Sequence, residues 1–211
     1  MIMLDRKESA KVISEFKDRR LTSPEADSNL RGIVAIAYAD QRQYAQAEDY
    51  LKTATNNTAT VQLARAQLLL AQGKTDQAVA ALDGMPVAQD APWWILRGLA
   101  RIKQASGNQE AAFRLMSQAY DAVPWHQSVM GEYAEFLIGT GKLEQAIVIR
   151  DKLKKLAPRY YWTNYVDALI LAQQGRQEES LAAASRCLPS HRTTCRRLYW
   201  PLKQSFKKVT Y

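Results

Sequence analysis

Glycines recur in this chain at a fixed interval, and this interval constrains the fold more than any other feature of the sequence. Four of them stand at steps of 34 residues: Gly73, Gly107, Gly141 and Gly175. Each begins a similar segment, such as GKTDQAVAAL at Gly73 and GKLEQAIVIR at Gly141. A period of this length, kept over several copies, predicts an array of repeated helical units.

Each repeat consists of two helical segments joined by a turn that contains the glycine. In TVQLARAQLLLAQG (60–73) and TDQAVAALDGM (75–85), the apolar residues recur at helical spacing. Glycine in the turn between two such segments can adopt the left-handed conformation that ends the first helix. The sequence therefore predicts one helical hairpin for every repeat.

Small residues stand at two fixed positions around each turn glycine. Seven residues before the glycine they are Ala66, Ala100, Ala134 and Ala168, and five residues after it they are Ala78, Ala112, Ala146 and Ser180. Two helices that cross closely need small side chains where their axes approach. A bulky replacement at such a position costs about 1–3 kcal/mol.

With this pattern the chain resembles the tetratricopeptide repeat family, whose units have the same length. The resemblance rests on the alanine of the first helix, the turn glycine and the small residue of the second helix. Pro124 and Pro158, again 34 residues apart, fall where a repeat should end. The resemblance implies repeats that begin near residues 59, 93, 127 and 161, and an earlier degenerate repeat in which Arg42 replaces the turn glycine and Ala35 and Ala47 hold the small positions.

The predicted fold class is all-α, a right-handed solenoid of about five helix-turn-helix repeats with flanking helices. Residues 1–27 are predicted to hold an N-terminal helix, the second half of a truncated repeat. Residues 28–190 form the predicted array, and residues 191–211 form a basic C-terminal capping helix. Each repeat buries its apolar stripe against its neighbours, so we expect an extended array that is concave on one side.

The formal charge of +8 is unevenly distributed along the chain. Residues 1–149 hold 16 basic and 17 acidic side chains, whereas residues 150–211 hold 13 basic and 4 acidic ones. From Arg186 onward there are seven lysines and arginines and no carboxylate side chain. We therefore expect the C-terminal end to attract anions, and this attraction to weaken with added salt.

Residues that carry catalytic or metal-binding chemistry are few. His126 and His191 are the only histidines, which is one short of a three-histidine zinc site. The segment GTGK (139–142) resembles the end of a phosphate-binding loop but lacks that motif's first glycine and its Ser/Thr, so we interpret it as a repeat turn. We predict no catalytic residue, no metal site and no cofactor.

The two cysteines lie eight residues apart, at Cys187 and Cys195. A disulfide between them would hold the terminal helix against the array, and closing so short a loop would add about 2–3 kcal/mol in the chain-entropy model. The alternative is that Cys187 fills a small packing position and Cys195 is a free thiol. The disulfide would indicate an oxidising compartment such as a bacterial periplasm, whereas its absence would indicate the cytoplasm.

In the resembled family, the residues at the second, fifth, ninth and twelfth positions of each repeat usually face the concave groove; we call these the groove positions. In the third predicted repeat they include Trp94, Arg97 and Arg101, and in the fifth they include Trp162 and Tyr165. An aromatic ring beside two guanidinium groups suits an extended peptide, a carboxylate or a sugar chain. The alternative is that these aromatic residues pack between repeats.

Two functions remain open at this point. The first is a non-catalytic scaffold that binds a protein or peptide partner in its concave groove. The second is an accessory domain of the bacterial cell envelope, in polysaccharide export or protein O-glycosylation, where the basic C-terminus contacts an anionic glycan or a membrane surface. For this alternative, residues 123–147 and the cysteine pair look like the soluble tail of bacterial protein O-oligosaccharyltransferases. Nucleic-acid binding ranks last, because the basic C-terminus lacks interleaved exposed aromatics in an established module.

Overall fold

A computed structural model of the chain describes residues 8–82, 85 and 91–187. In this part of the chain there are eleven helices and no strand, which confirms the predicted all-α class. The helices are α1 Ser9–Phe16, α2 Pro24–Asp40, α3 Tyr44–Lys52, α4 Ala59–Ala71, α5 Thr75–Ala80, α6 Trp93–Ala105, α7 Gln109–Ala122, α8 Gln127–Gly139, α9 Leu143–Leu156, α10 Tyr161–Gln173 and α11 Gln177–Cys187.

The helices keep the period of the glycines. The first helices of four successive repeats, α4, α6, α8 and α10, begin at Ala59, Trp93, Gln127 and Tyr161. Their second helices, α5, α7, α9 and α11, begin at Thr75, Gln109, Leu143 and Gln177. The structure thus begins each of these repeats at the residue near which the sequence predicts it.

Each turn glycine ends the first helix of its repeat in the left-handed conformation. The φ angles of Gly73, Gly107, Gly141 and Gly175 are 79°, 83°, 75° and 75°. The residue after each glycine donates its backbone N–H to the carbonyl five residues earlier, as Lys74 does to Leu69 at 2.9 Å. This bond pattern is the Schellman motif, which satisfies a carbonyl that the helix end would otherwise leave unpaired.

Arg42 takes the place of the turn glycine between α2 and α3. Its φ is 59°, and the N–H of Gln43 donates to the carbonyl of Tyr38 at 2.9 Å, so the Schellman motif is kept without glycine. A residue with a Cβ is strained in this conformation by about 1–2 kcal/mol.

We therefore expect Arg42→Gly to stabilise the protein by up to about 1 kcal/mol, because the strain it relieves exceeds the added entropy of the unfolded chain. Gly107→Ala, at the equivalent turn of α6 and α7, is expected to destabilise it by about 1 kcal/mol. Urea unfolding of both variants measures the difference. Equal losses of stability in the two variants would show that the φ angle of this turn does not determine the effect.

The small positions are buried, as the close approach of two helices requires. Eight residues have no exposed surface: Ala66, Ala78, Ala100, Ala112, Ala134, Ala146, Ala168 and Ser180. Ser180 also donates a hydrogen bond from its Oγ to the carbonyl of Ala168 at 2.7 Å, which joins α11 directly to α10.

The chain divides into two compact units, an N-terminal unit of Met1–Ala119 and a C-terminal unit of Tyr120–Tyr211. In the N-terminal unit, apolar residues of α2, α3 and α4 form one cluster around Val34 and Val61. In the C-terminal unit, Ala168 and Leu171 of α10 pack against residues of α11. None of the described helices has the length and apolar character that crossing a bilayer requires.

The predicted domain boundaries stay a prediction. α2 begins at Pro24, four residues before the predicted start of the array, and its N-terminus is capped by the Ser23 hydroxyl, which accepts a hydrogen bond from the N–H of Ala26 at 3.3 Å. The predicted capping helix in 191–211 lies outside the described residues.

Candidate functional site

The groove positions of the third repeat lie along one face of α6. Trp94, Arg97 and Arg101 are three and four residues apart, a spacing that places side chains on the same side of a helix. Their exposure increases along the helix: Trp94 and Arg97 are half-buried, and Arg101 is exposed. We call these three residues the α6 surface.

The other face of α6 fixes the orientation of this surface. Ile95, Leu99 and Ile102 follow one another at helical spacing and are at most 3% exposed. They belong to an apolar cluster that also contains Leu63 of α4, and Trp94 packs against the same cluster. The Trp94 side chain is therefore supported by the core on one side and accessible on the other.

Gly98 allows α6 to lie close to α4. A Cβ at Gly98 would stand 2.7 and 2.8 Å from the two methyl carbons of Leu63 and 2.9 Å from Nε2 of Gln67. Leu63 and Gln67 hold groove positions of the preceding repeat, so α6 partly covers them. In the described part of the N-terminal unit, the groove positions of α6 are thus more accessible than those at the start of α4, where Thr60 is 5% exposed.

Trp162 and Tyr165 of α10 belong to the C-terminal unit, and both are buried. Their exposed fractions are 5% and 9%. The Trp162 indole lies against Gly131 of α8, and the Tyr165 hydroxyl donates to Oε1 of Glu135 at 2.9 Å. This placement agrees with the alternative interpretation, in which these aromatic residues pack between repeats. Binding by Trp162 and Tyr165 stays an untested prediction, and the accessible part of the predicted site is the α6 surface.

A charged cavity that we did not predict from the sequence lies in the C-terminal unit, between α9, α10 and α11. Its volume is about 260 Å³. It is lined by four cations, two carboxylates and two apolar residues: Arg150, Lys154, Arg176, Arg186, Asp167, Glu179, Leu171 and Ala182. The basic excess of residues 150–211 was the sequence signal for this cavity. The sequence could not show which of the cations come together, because that depends on the packing of three helices.

Ion pairs organise the wall of this charged cavity. Asp167 is 8% exposed, and its Oδ1 accepts from Nη1 of Arg150 at 2.9 Å and from Nζ of Lys154 at 3.0 Å. Glu179 accepts from both Nε and Nη2 of Arg176, at 2.7 and 2.5 Å. The hydrogen bonds from Arg176 lower the pKa of Glu179 and raise that of Arg176, so this pair stays ionised at neutral pH.

Comparison with known proteins supports the repeat architecture. A family model described as tetratricopeptide repeat matches residues 103–170. A tetratricopeptide repeat protein from Parabacteroides merdae is similar in structure, with a TM-score of 0.59 and 18% identity over 86% of this chain and 74% of that one. MamA MSR-1 is also similar, with a TM-score of 0.56 and 16% identity over 79% of this chain and 98% of that one. A search of curated proteins found no match.

The chain thus has the tetratricopeptide-repeat fold. Tetratricopeptide-repeat proteins generally bind protein partners, so a protein is the kind of ligand that this repeat fold indicates. At these identities the solved structures establish the fold and leave the partner open.

Two further predictions concern Cys187 and metal binding. Cys187 ends α11, has no exposed surface and takes part in a disulfide. Cys195 lies outside the described residues, so the Cys187–Cys195 pairing stays a prediction. Within the described ranges, no three His, Cys, Asp or Glu side chains come together as metal ligands would.

Proposed function

We propose that this chain is a non-catalytic scaffold that binds a protein or peptide partner along the α6 surface. The observation that carries the proposal is the combination of an aromatic ring with two guanidinium groups on one accessible helix face. The fold adds support, because tetratricopeptide repeats commonly bind protein segments. The partner contacts in this proposal are Trp94, Arg97 and Arg101.

The three side chains supply complementary interactions. Trp94 rests on the apolar cluster of α4 and α6, so an apolar side chain of the partner would contact a ring that is already supported. Tryptophan and arginine are, with tyrosine, enriched among the residues that dominate binding energy at protein interfaces. The exposed guanidinium group of Arg101 provides paired N–H donors for a carboxylate of the partner, and Arg97 adds a second positive charge on the same helix face.

The second hypothesis, an envelope domain that contacts glycan, needs accessible aromatic faces on which sugars stack. Trp162 and Tyr165, two of the three aromatic residues that we predicted at groove positions, are buried. We therefore propose only the scaffold function.

A peptide selected from a random library for binding to the wild-type chain provides a ligand for the test. We expect the double substitution Trp94→Ala with Arg97→Ala to weaken its binding by at least about thirtyfold, because two residues of the hot-spot types are lost together. Arg101→Ala alone is expected to weaken binding less, since this side chain is the most exposed of the three. Fluorescence anisotropy of the labelled peptide measures each dissociation constant.

Two matched control variants remove the same side chains elsewhere. Trp125→Ala deletes an indole that is 67% exposed in the turn before α8, and Arg114→Ala deletes an exposed arginine on α7. Neither control holds a groove position, so both should bind like the wild type. Helicity and thermal midpoint must be unchanged in every variant. A correctly folded double variant that keeps wild-type affinity for every selected peptide would show that the α6 surface is not the site.

A further inference from the structure

We infer that the charged cavity of the C-terminal unit binds a tetrahedral oxyanion group of the phosphate or sulfate type. The cavity lies among α9, α10 and α11 and shares no residue with the α6 surface. It is therefore a second site, and the inference does not depend on the proposed scaffold function.

The charges that line this cavity are unbalanced in favour of cations. Four cationic side chains face two carboxylates. Asp167 is shared by Arg150 and Lys154, so its single charge offsets only one of them. Arg150 also pairs with Asp151, which does not line the cavity; if the charge of Asp151 is counted as well, four cations still face three carboxylates. An anion that enters the cavity consequently meets a positive potential.

Arg186 offers the N–H groups that this anion would use. Its Nε donates to Oδ1 of Asn164 at 3.2 Å, and its two Nη atoms contact no acceptor in the part of the chain that the structure describes. Arg176 differs, because Glu179 occupies its guanidinium fork. The edge formed by the two Nη atoms of a guanidinium matches two oxygens of a phosphate or sulfate.

Lys154 supplies donors from another wall of the cavity. An ammonium group has three N–H bonds, and Lys154 directs one of them to Asp167. Donors from α9 and α11 thus converge on a space of about 260 Å³, smaller than the pockets that hold drug-sized ligands and large enough for one anionic head group. A tetrahedral oxyanion presents three or four oxygens to donors that arrive from different helices, whereas a carboxylate presents only two.

Inorganic phosphate and sulfate are the probes for the first test, with sodium chloride at matched ionic strength as the reference. We expect the full chain to bind phosphate saturably with one site per chain, by isothermal titration calorimetry. Arg186→Ala should weaken this binding by about tenfold or more, because it removes charge-assisted hydrogen bonds. Lys154→Gln, which replaces the ammonium group by an uncharged amide, should weaken it as well.

Arg159→Ala is the matched control for these variants. Arg159 lies in the turn before α10, is exposed and does not line the cavity, so its removal deletes the same charge from the same unit. We expect Arg159→Ala to bind phosphate like the wild type. Equal loss of binding in Arg159→Ala and Arg186→Ala, or a response to phosphate that only matches that to chloride, would overturn the assignment.

A second test identifies the source of the oxyanion. A short peptide with one phosphoserine is compared with its unphosphorylated form and with free phosphate. Tighter binding of the phosphopeptide than of phosphate supports a site for a modified protein partner, and equal binding supports a site for the free anion. If the unphosphorylated peptide binds as well as the phosphopeptide, the oxyanion is not what the cavity recognises. We expect the α6 variants to keep the phosphate affinity of the wild type. A result that contradicts one of the two proposals therefore leaves the other untouched.

Discussion

Gly131→Ala is expected to lower the free energy of unfolding by about 1–3 kcal/mol, because the added methyl group would enter the space of a buried ring. A Cβ at this position would stand 2.3 Å from Cδ2 and 2.4 Å from Cγ of Trp162. These atoms lie at the base of the indole, where the ring cannot bend away. The usual effect of this substitution inside a helix is the opposite, a gain of up to about 1 kcal/mol.

The surroundings of Trp162 prevent the ring from moving aside. Tyr165 meets it edge-on with the ring centres 5.2 Å apart, and Tyr161 lies at 5.4 Å. The indole N–H has no hydrogen-bond partner among the residues that the structure describes, so ring packing rather than a directed bond holds the side chain. Relief of the clash therefore requires either a shift of α10 relative to α8 or a strained rotamer of Trp162.

Gly139→Ala is the matched control for this prediction. Gly139 ends the same helix, and a Cβ there would have no neighbour within 4 Å, so the variant should be as stable as the wild type or slightly more stable. Urea unfolding followed by circular dichroism measures both variants. Adding Trp162→Phe to Gly131→Ala should recover part of the loss, because a smaller ring leaves room for the methyl group. Equal stability of the two alanine variants would disprove the steric explanation.

Gly98→Ala provides a graded comparison in the N-terminal unit. The atoms nearest to its added Cβ are the methyl carbons of Leu63 and the amide nitrogen of Gln67, which are the far ends of flexible side chains. Such ends can rotate, whereas the base of an indole cannot. Comparing the free energies of unfolding of Gly98→Ala and Gly131→Ala therefore separates two reasons why a buried position needs glycine. One is tight contact with a movable group, and the other is tight contact with a rigid one.

The repeat boundaries could be predicted from the sequence because they depend on local chemistry. The turn of a repeat needs a glycine that can reach positive φ, as Gly73 does, and each helix crossing needs a small residue. Both requirements arise within a single repeat. Arg42 was recognisable as the exception for the same reason, since Ala35 and Ala47 keep their places around it. The contacts that require these residues lie within one repeat, and their recurrence every 34 residues made them visible in the sequence.

The accessible part of the candidate site could not be predicted in this way. Trp162 holds a groove position, yet Gly131 of the preceding repeat leaves a space that the indole fills. The pairing joins residues 31 apart in the sequence, and the pattern within either repeat does not contain it. A glycine at one groove position followed one repeat later by a tryptophan is the signal that would have indicated burial. On α6, Trp94 is half-buried and keeps an accessible side.

Ser180→Leu is the second substitution with a large expected effect, a loss of about 1–3 kcal/mol or more in the free energy of unfolding. Ser180 and Ala168 face each other across the hairpin of α10 and α11, and neither has any exposed surface. A leucine at residue 180 adds volume where the two helices approach most closely. It also removes the hydrogen bond from the Ser180 hydroxyl to the carbonyl of Ala168, which is 2.7 Å long.

Two further variants separate volume from hydrogen bonding at this crossing. Ser180→Ala keeps the space and removes only the hydroxyl, so we expect a loss of about 1 kcal/mol, the usual net contribution of one hydrogen bond. Ala182→Leu adds a larger side chain at an exposed position of the same helix and should change stability by less than about 0.5 kcal/mol. Urea midpoints should therefore fall in the order Ala182→Leu, Ser180→Ala, Ser180→Leu. If Ser180→Leu were as stable as Ala182→Leu, close approach of the helices would not be the reason for the small residue in every repeat.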